Sequence, residues 1–298
     1  MAGGARGVYL IDASIYIFRA WYSVPDSLYN QDGMPINALH GFAGFLGSFL
    51  EQAEPGHVAV VFDESLTSSF RNRIYPAYKA NREPPPAGLL QQFAWCRELV
   101  GHLGLAQFAS DTYEADDLIG TLAARLRRPD IPIVILSADK DLAQLLEPGD
   151  LFWDFARNRR YRHADIPGWL GVAAGQVADW LALTGDSVDN IPGIPGIGAK
   201  TAAALLGHFG TLAELYQQVE TVAELPLRGA ARIQRLLQAH RDAAMLARQL
   251  TGIAVDPDMA VSMNDLGRRK VGANAVSAAC EQLGLGRMTQ ARLARLVG

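Results

Sequence analysis

Apolar residues along this chain fall into two alternating patterns, and their order constrains the fold. Short runs rich in β-branched residues, Gly7 to Ile11, His57 to Phe62 and Ile133 to Leu136, read as strands. The second is apolar without interruption from Val58 to Phe62, as a strand covered on both faces requires. Between them, Leu39 to Gln52 and Leu89 to Leu103 carry apolar positions at helical spacing, and Leu118, Leu122 and Leu126 share one face of a further helix. Asp111 and Glu114 have capping-box spacing ahead of that helix. After about Asp165 the strand signals fade, and Trp169 to Leu250 reads as helices punctuated by glycine and proline. The order predicts an α/β fold: a mainly parallel central sheet flanked by helices over residues 1–166, then a helical region over 167–298. The boundary falls near Pro167, and the two parts can share a core.

The polar positions that end these runs are acids. Asp12 and Asp63 close the first two strands, Asp139 and Asp141 follow the third, and Glu114, Asp116 and Asp117 open a helix; Asp186 and Asp189 lie in the helical region. A single acid after a strand is an ordinary loop residue, and acids are common in first helical turns, where the dipole favours them. All the stations together are another matter, because residues just past the carboxyl ends of parallel strands meet at one edge of an open sheet. Nine like charges at that edge would repel by several kcal/mol without hard cations among them. Mg²⁺ or Mn²⁺ is therefore expected, and phosphodiester hydrolysis is the natural chemistry of such a site.

Composition adjusts this picture. With 298 residues, 49% of them hydrophobic, the chain can bury a substantial core. Its formal charge of −4 argues against a nucleic-acid partner until the nine clustered acids are set aside, which leaves 22 acidic against 27 basic residues, or +5. Two cysteines, Cys96 and Cys280, support neither a disulfide framework nor a zinc site, so a reducing cytoplasm is the expected location. The stretch Val8 to Trp21 is apolar but carries Asp12 and Arg19 and lacks a basic leader. No signal peptide or membrane span is expected.

Two further constellations stand out. Arg71, Arg73, Tyr75, Tyr78, Lys79 and Arg82 precede Pro84-Pro85-Pro86. Cations interleaved with aromatic rings suit a single-stranded end, phosphate meeting charge and bases stacking on tyrosine; a solvated basic loop is the plainer alternative. The second runs from Ile191 to Thr201. It is not a P-loop, since Ala199 intervenes before Lys200 and no strand leads in. The basic run Arg157, Arg159, Arg160 and Arg162 reads as a solvated hairpin.

The motifs Val8 to Asp12, Phe18-Arg19-Ala20, Val61 to Asp63, Tyr113 to Ile119, Ser137 to Leu142 and Gly185 to Gly193 closely resemble the bacterial 5′-3′ exonuclease and flap endonuclease family, which includes the 5′-nuclease domain of DNA polymerase I. The resemblance runs in order from Val8 to about Val255, and Ala13, where many members have glycine, is a small departure. It implies a free-standing, monomeric enzyme with a PIN-like or resolvase-like core and an arch segment near residues 70–95. One metal group would be Asp12, Asp63, Glu114, Asp116 and Asp117, and the other Asp139, Asp141, Asp186 and Asp189. Lys79 and Arg82 would hold the scissile phosphate, with Arg19 a weaker candidate. Arg71, Arg73, Tyr75 and Tyr78 would contact the threaded strand, and Asn37, within Gly33 to Phe42, the duplex near the junction. Gly193, Gly196, Gly198, Lys200 and Thr201 resemble a helix-hairpin-helix at about 185–207, whose backbone groups would bind duplex phosphate with K⁺ as a further ligand. The implied substrate is DNA with a 5′ end, flap or junction, and RNA/DNA hybrids through RNA primers; products carry a 5′-phosphate and a 3′-hydroxyl. A junction-binding protein with little cleavage and a PIN-type ribonuclease are the alternatives.

Overall fold

The computed structural model describes residues 7–64 and 69–297. Six strands form one sheet: β1 (Val8–Asp12), β2 (His57–Val61), β3 (Ala106–Phe108), β4 (Ile133–Leu136), β5 (Leu151–Asp154) and β6 (Arg159–Arg162), in the order β3-β2-β1-β4-β5-β6. Every neighbouring pair is parallel except β5 with β6. The chain steps from β1 outward through β2 and β3, then returns to the other side of β1 to lay down β4. That reversal makes the carboxyl end of β1 the switch point, where open α/β sheets bind ligands.

The three strands legible in the sequence are β1, β2 and β4. The others carry weaker signals for physical reasons: β3 has three residues at the sheet edge, and β6 is the edge sequence Arg-Arg-Tyr-Arg. Helix α1 (Ala13–Ser23) starts directly at the end of β1, where the Asp12 side chain caps it by accepting from Ile15 N at 3.4 Å. Ala13 is buried in its first turn and is not among the non-glycine residues with positive φ, so alanine is unstrained there. Four more helices follow in this half: α2 (Asn37–Ala53), α3 (Phe70–Ile74), α4 (Ala87–His102) and α5 (Ala115–Leu126). The cap of α5 is Glu114 rather than Asp111: Glu114 N donates to Asp117 Oδ2 at 3.2 Å, while the turn ahead is held by Ser110 Oγ, which accepts from Thr112 N and Tyr113 N.

Beyond β6 come α6 (Ile166–Leu170), α7 (Val177–Thr184), the two-residue ladder of β7 (Gly185–Asp186) with β8 (Ile191–Pro192), α8 (Ala199–Phe209), α9 (Leu212–Gln217), α10 (Ala230–Ala239), α11 (Arg241–Thr251), α12 (Ala273–Gln282) and α13 (Arg287–Arg295). The pleat of β1 sends Val8 and Leu10 to one sheet face and Tyr9 and Ile11 to the other, seeding two cores. The first runs unbroken from Leu10 and Leu118 to Leu181, Leu206 and Leu250, so the sheet and the helices after Pro167 share it. The second, with Phe42, Phe62 and Leu99, takes in Val276, Cys280 and Leu293. The last two helices thus leave the helical region and pack against α2 and α4. Both cysteines lie buried and unpaired in that second core.

Candidate active site

Three adjacent strands deliver Asp12, Asp63 and Asp139 to the switch point, because each strand ends within a few residues of its acid. Local hydrogen bonds fix their aim. Ser137 Oγ donates to Asp12 Oδ2 at 2.8 Å, and Asp63 N donates to Ser14 Oγ at 3.3 Å. Asp63 Oδ1 accepts from Ala115 N at 2.8 Å, which ties the start of α5 to the end of β2 and carries Asp116 into the cluster. Asp139 Oδ1 accepts from Asp141 N at 3.0 Å, closing the 3₁₀ turn Lys140–Leu145.

The charges of these groups act on one another. Burial, then the negative charge of Asp63, pushes Asp12 up to about 7. Asp116 is held well above the usual carboxylate range by burial and by Asp139, Asp12 and Asp63. Burial also raises Asp139, with Asp189 and Asp186 adding to it, and takes Asp141 to about 8 with help from Asp139 and Asp186. The buried Oδ1 of Asp141 has no hydrogen-bond partner among the described residues. An orphaned carboxylate oxygen amid mutually repelling acids is the donor chemistry that hard divalent cations satisfy. Among the described residues no three acidic, histidine or cysteine side chains form a ready metal-binding group.

A turn from Tyr75 to Arg82 closes one side. Lys79 has φ 55°, in the left-handed region, and its N–H donates to Asp189 O at 3.0 Å. Its Nζ lies 2.8 Å from Glu114 Oε1 and 3.8 Å from Asp189 Oδ2. Burial works against the Lys79 charge, but Glu114, Asp189 and Asp63 outweigh it and hold its pKa above the ordinary value. The Arg82 guanidinium pairs with Asp189. Asn81 Nδ2 donates to Ser187 O at 2.9 Å and Asn190 Nδ2 to Ala77 O at 2.6 Å, so this turn is pinned to the 186–190 loop.

Four candidates turn out to be structural. Arg71 is buried and spends all five N–H donors inside the protein: on Asp117 at 2.6 and 2.7 Å, on Glu114 at 3.4 Å, and on the carbonyls of Leu250 and Gly252 at 2.8 and 2.7 Å. Its partner Asp117 is fully buried and also accepts from Ala254 N at 2.8 Å, so it serves as the anchor of this strap, with no oxygen left for a metal. Tyr78 is buried with its hydroxyl 2.9 Å from Glu114 Oε2 and 3.0 Å from Asp189 Oδ2, so its ring is not offered to a base. Asn37 is buried, donating to Trp21 O at 2.9 Å and accepting from Gln92 Nε2 at 3.0 Å, so it cannot reach a duplex.

The remaining positions divide by exposure. Arg19 and Arg73 are exposed, whereas Tyr75 is half-buried against the first core. Gly193 is needed for packing: a Cβ there would lie 2.2 Å from the Thr184 carbonyl carbon. Gly196, at φ 87°, and Gly198, the N-cap of α8, are exposed beside Lys200, and Thr201 is half-buried. A Cβ on Gly196 would lie 3.5 Å from Arg232 Nη2, so α10 brings an exposed arginine to this turn. Arg232 was not singled out from the sequence, since it sits in an ordinary amphipathic helix; nor were Ser14 and Ser137, which position acids without resembling ligands.

Acids gathered at the switch point of a resolvase-like sheet, with a glycine turn opening a helix beside them, define a class of α/β nucleases. Residues 7–167 match the 5′-3′ exonuclease N-terminal resolvase-like domain, and residues 172–274 match the C-terminal SAM fold of the same family. The 5′-3′ exonuclease of Buchnera aphidicola is 30% identical over 259 residues, covering 87% of this chain and 90% of that protein. DNA polymerase I of Pseudomonas aeruginosa is 38% identical over 258 residues, and that of Rhizobium leguminosarum 36% over 266. They cover 86% and 87% of this chain but only 28% and 26% of the polymerases, so the chain spans little more than a quarter of those relatives. The chain belongs to the 5′-3′ exonuclease family. Its fold is shared with the bacteriophage T5 flap endonuclease in a pseudo-enzyme-product complex with DNA and metal ions (TM-score 0.64, 20% identity, 98% of this chain and 99% of that one) and with the catalytic core of Rad2 in complex with DNA substrate (0.66, 15%, 99% and 93%). Among the described residues no helix is long and apolar enough to cross a membrane.

Proposed function

We propose that this chain is a structure-specific 5′ nuclease that hydrolyses phosphodiesters at the 5′ ends and flaps of DNA, and at RNA primers, leaving 5′-phosphate and 3′-hydroxyl. The observation that carries this reading is the group of acids at the sheet's switch point, the buried Asp12 and the half-buried Asp116, Asp139 and Asp141, each raised by desolvation and by neighbouring negative charge. Asp12, Asp63 and Asp116, with Glu114 through water, would hold one Mg²⁺ or Mn²⁺, and Asp139, Asp141, Asp186 and Asp189 a second. Such a pair, when bound, supplies a water of lowered pKa and stabilisation for the leaving oxygen.

The protein's own part is positioning. Lys79 and Arg82 sit where a phosphate can exchange for the carboxylates of Glu114 and Asp189, and they would offset charge developing on it. The Tyr78 hydroxyl bridges those same carboxylates and keeps them in place when the cations turn to substrate. Gly196, Gly198, Lys200 and Arg232 would grip duplex phosphate, with K⁺ as a further ligand of the turn. The deciding experiment follows a labelled 5′-flap duplex with Mg²⁺, with EDTA, and with Asp116→Asn. Metal-dependent cutting that this substitution abolishes while binding persists supports the reading. Binding without cutting in the parent protein would sink it.

A further inference from the structure

The basic β5–β6 hairpin has a structured inner face. Its pleat places Phe152 and Asp154 on one side of β5 opposite Tyr161 and Arg159 of β6, in the register Phe152↔Tyr161 and Asp154↔Arg159. Trp153 and Arg160 take the other side, with the Arg160 guanidinium 4.1 Å from the Trp153 ring centre. The first face floors a cavity of about 380 Å³, walled by Trp169 of α6 and reaching Asp139 and Lys140. Tyr161 and Trp169 are stacked at 4.0 Å with their planes 6° apart, and Phe152 lies 5.3 Å from Trp169. The Asp154 charge is answered by Arg157 at 3.0 Å. Arg159 forms no ion pair with a carboxylate among the described residues, while the Lys140 ammonium lies 5.4 Å from the Trp180 ring centre and its charge also acts on Asp141.

Aromatic walls, the unpaired Arg159 guanidinium with Lys140 beside it, and a volume in the range of small-ligand pockets, roughly 300–1,000 Å³, together specify a ligand with a flat ring system and an anionic group. We propose that this cavity is a nucleotide subsite: it takes one unpaired nucleoside 5′-phosphate unit, the base against the Tyr161–Trp169 pair and the phosphate between Arg159 and Lys140. Stacking on aromatic faces tolerates any base, and a guanidinium suits phosphate geometry. Because Asp139 belongs both to this cavity and to the acid cluster, the unit is either a nucleotide of the bound strand or the mononucleotide released from it. The subsite rests on the nuclease reading only for this source.

The test titrates the full chain, in EDTA, with deoxyadenosine 5′-monophosphate while tryptophan fluorescence is followed. Deoxyadenosine and deoxyribose 5-phosphate are run alongside. Saturable quenching is expected, about tenfold weaker for either fragment and for Arg159→Ala, and mostly lost in Trp169→Phe. Equal affinity for deoxyadenosine, or an unchanged affinity in Arg159→Ala, would overturn the subsite. The source follows from flap cleavage. If the bound strand fills the cavity, Arg159→Ala raises KM about tenfold with kcat kept; if the product does, only inhibition by the monophosphate weakens. A parent protein that cuts flaps but binds no monophosphate refutes the subsite and leaves the nuclease reading intact. Binding without cutting does the reverse.

Discussion

Asp116 and Asp117 are neighbours in the first turn of α5, yet their substitutions should move stability in opposite directions. Asp117 is fully buried and accepts four hydrogen bonds: two from Arg71 at 2.6 and 2.7 Å, one from Ala254 N at 2.8 Å and one from Glu114 N at 3.2 Å. Asp117→Asn keeps the volume but leaves the buried Arg71 charge with only the longer, 3.4 Å contact to Glu114. Breaking a buried ion pair from one side costs about 3–5 kcal/mol, a large share of a domain's typical ~5–15 kcal/mol. Asp116 has the contrary situation, with desolvation and the charges of Asp139, Asp12 and Asp63 opposing its ionisation more than Lys79 favours it. Asp116→Asn should therefore stabilise the metal-free protein while abolishing cleavage. Urea unfolding in EDTA followed by circular dichroism gives the first quantity, and flap cleavage in Mg²⁺ without urea the second. The expected outcome is a lowered midpoint with cutting retained for Asp117→Asn, and a raised or equal midpoint with no cutting for Asp116→Asn. An Asp117→Asn protein of parental stability that cannot cut would return Asp117 to the metal ligands and refute the strap.

Three further outcomes follow from the same geometry. Asp12, at about 7, and Asp141, at about 8, have folded pKa values raised above the ordinary 3.8, so the folded metal-free protein holds protons more tightly than the unfolded chain. Their favourable contribution is complete below about pH 3.8 and is lost as pH rises through 7 to 8. The Tm in EDTA should therefore fall across that interval while the Mg²⁺-induced rise in Tm grows; a rise independent of pH would contradict this. Lys79→Gly accepts the left-handed φ of 55° and should slow cleavage about 10²–10³-fold with duplex affinity nearly kept; a greater loss in affinity than in kcat would remove Lys79 from the phosphate. Arg232→Ala should reduce the salt slope of duplex binding by about one unit, and an unaltered slope would detach α10 from the hairpin.

How far the sequence reaches is clear from which residues it misassigned. Strands β1, β2 and β4 were legible because each is a β-branched run that ends in an acid, and the topology then brings those acids to one edge with no help from longer-range detail. Arg71 and Asp117 were misassigned for the same reason that Lys79 and Asp116 invited attention: at one or two positions' remove they have the same chemistry. What separates them is direction. Along α5, successive side chains point about 100° apart, so Asp116 faces the sheet edge while Asp117 turns toward α3 and the 250–254 segment. Only contacts some 140 to 180 residues distant, with Leu250, Gly252 and Ala254, decide that Arg71 is a strap rather than a phosphate ligand. The strap in turn explains how the 75–82 turn and the 186–190 loop are held beside the acids. Arg71 ties α3 to α5 and to the end of α11, and Lys79 and Asn190 then close the same connection one turn further on. Charge pairs that look like substrate contacts in the sequence are thus framework, holding the half-buried Lys79 and the exposed Arg82 beside the cluster, where the proposed function has them meet phosphate, as it has the exposed Arg232.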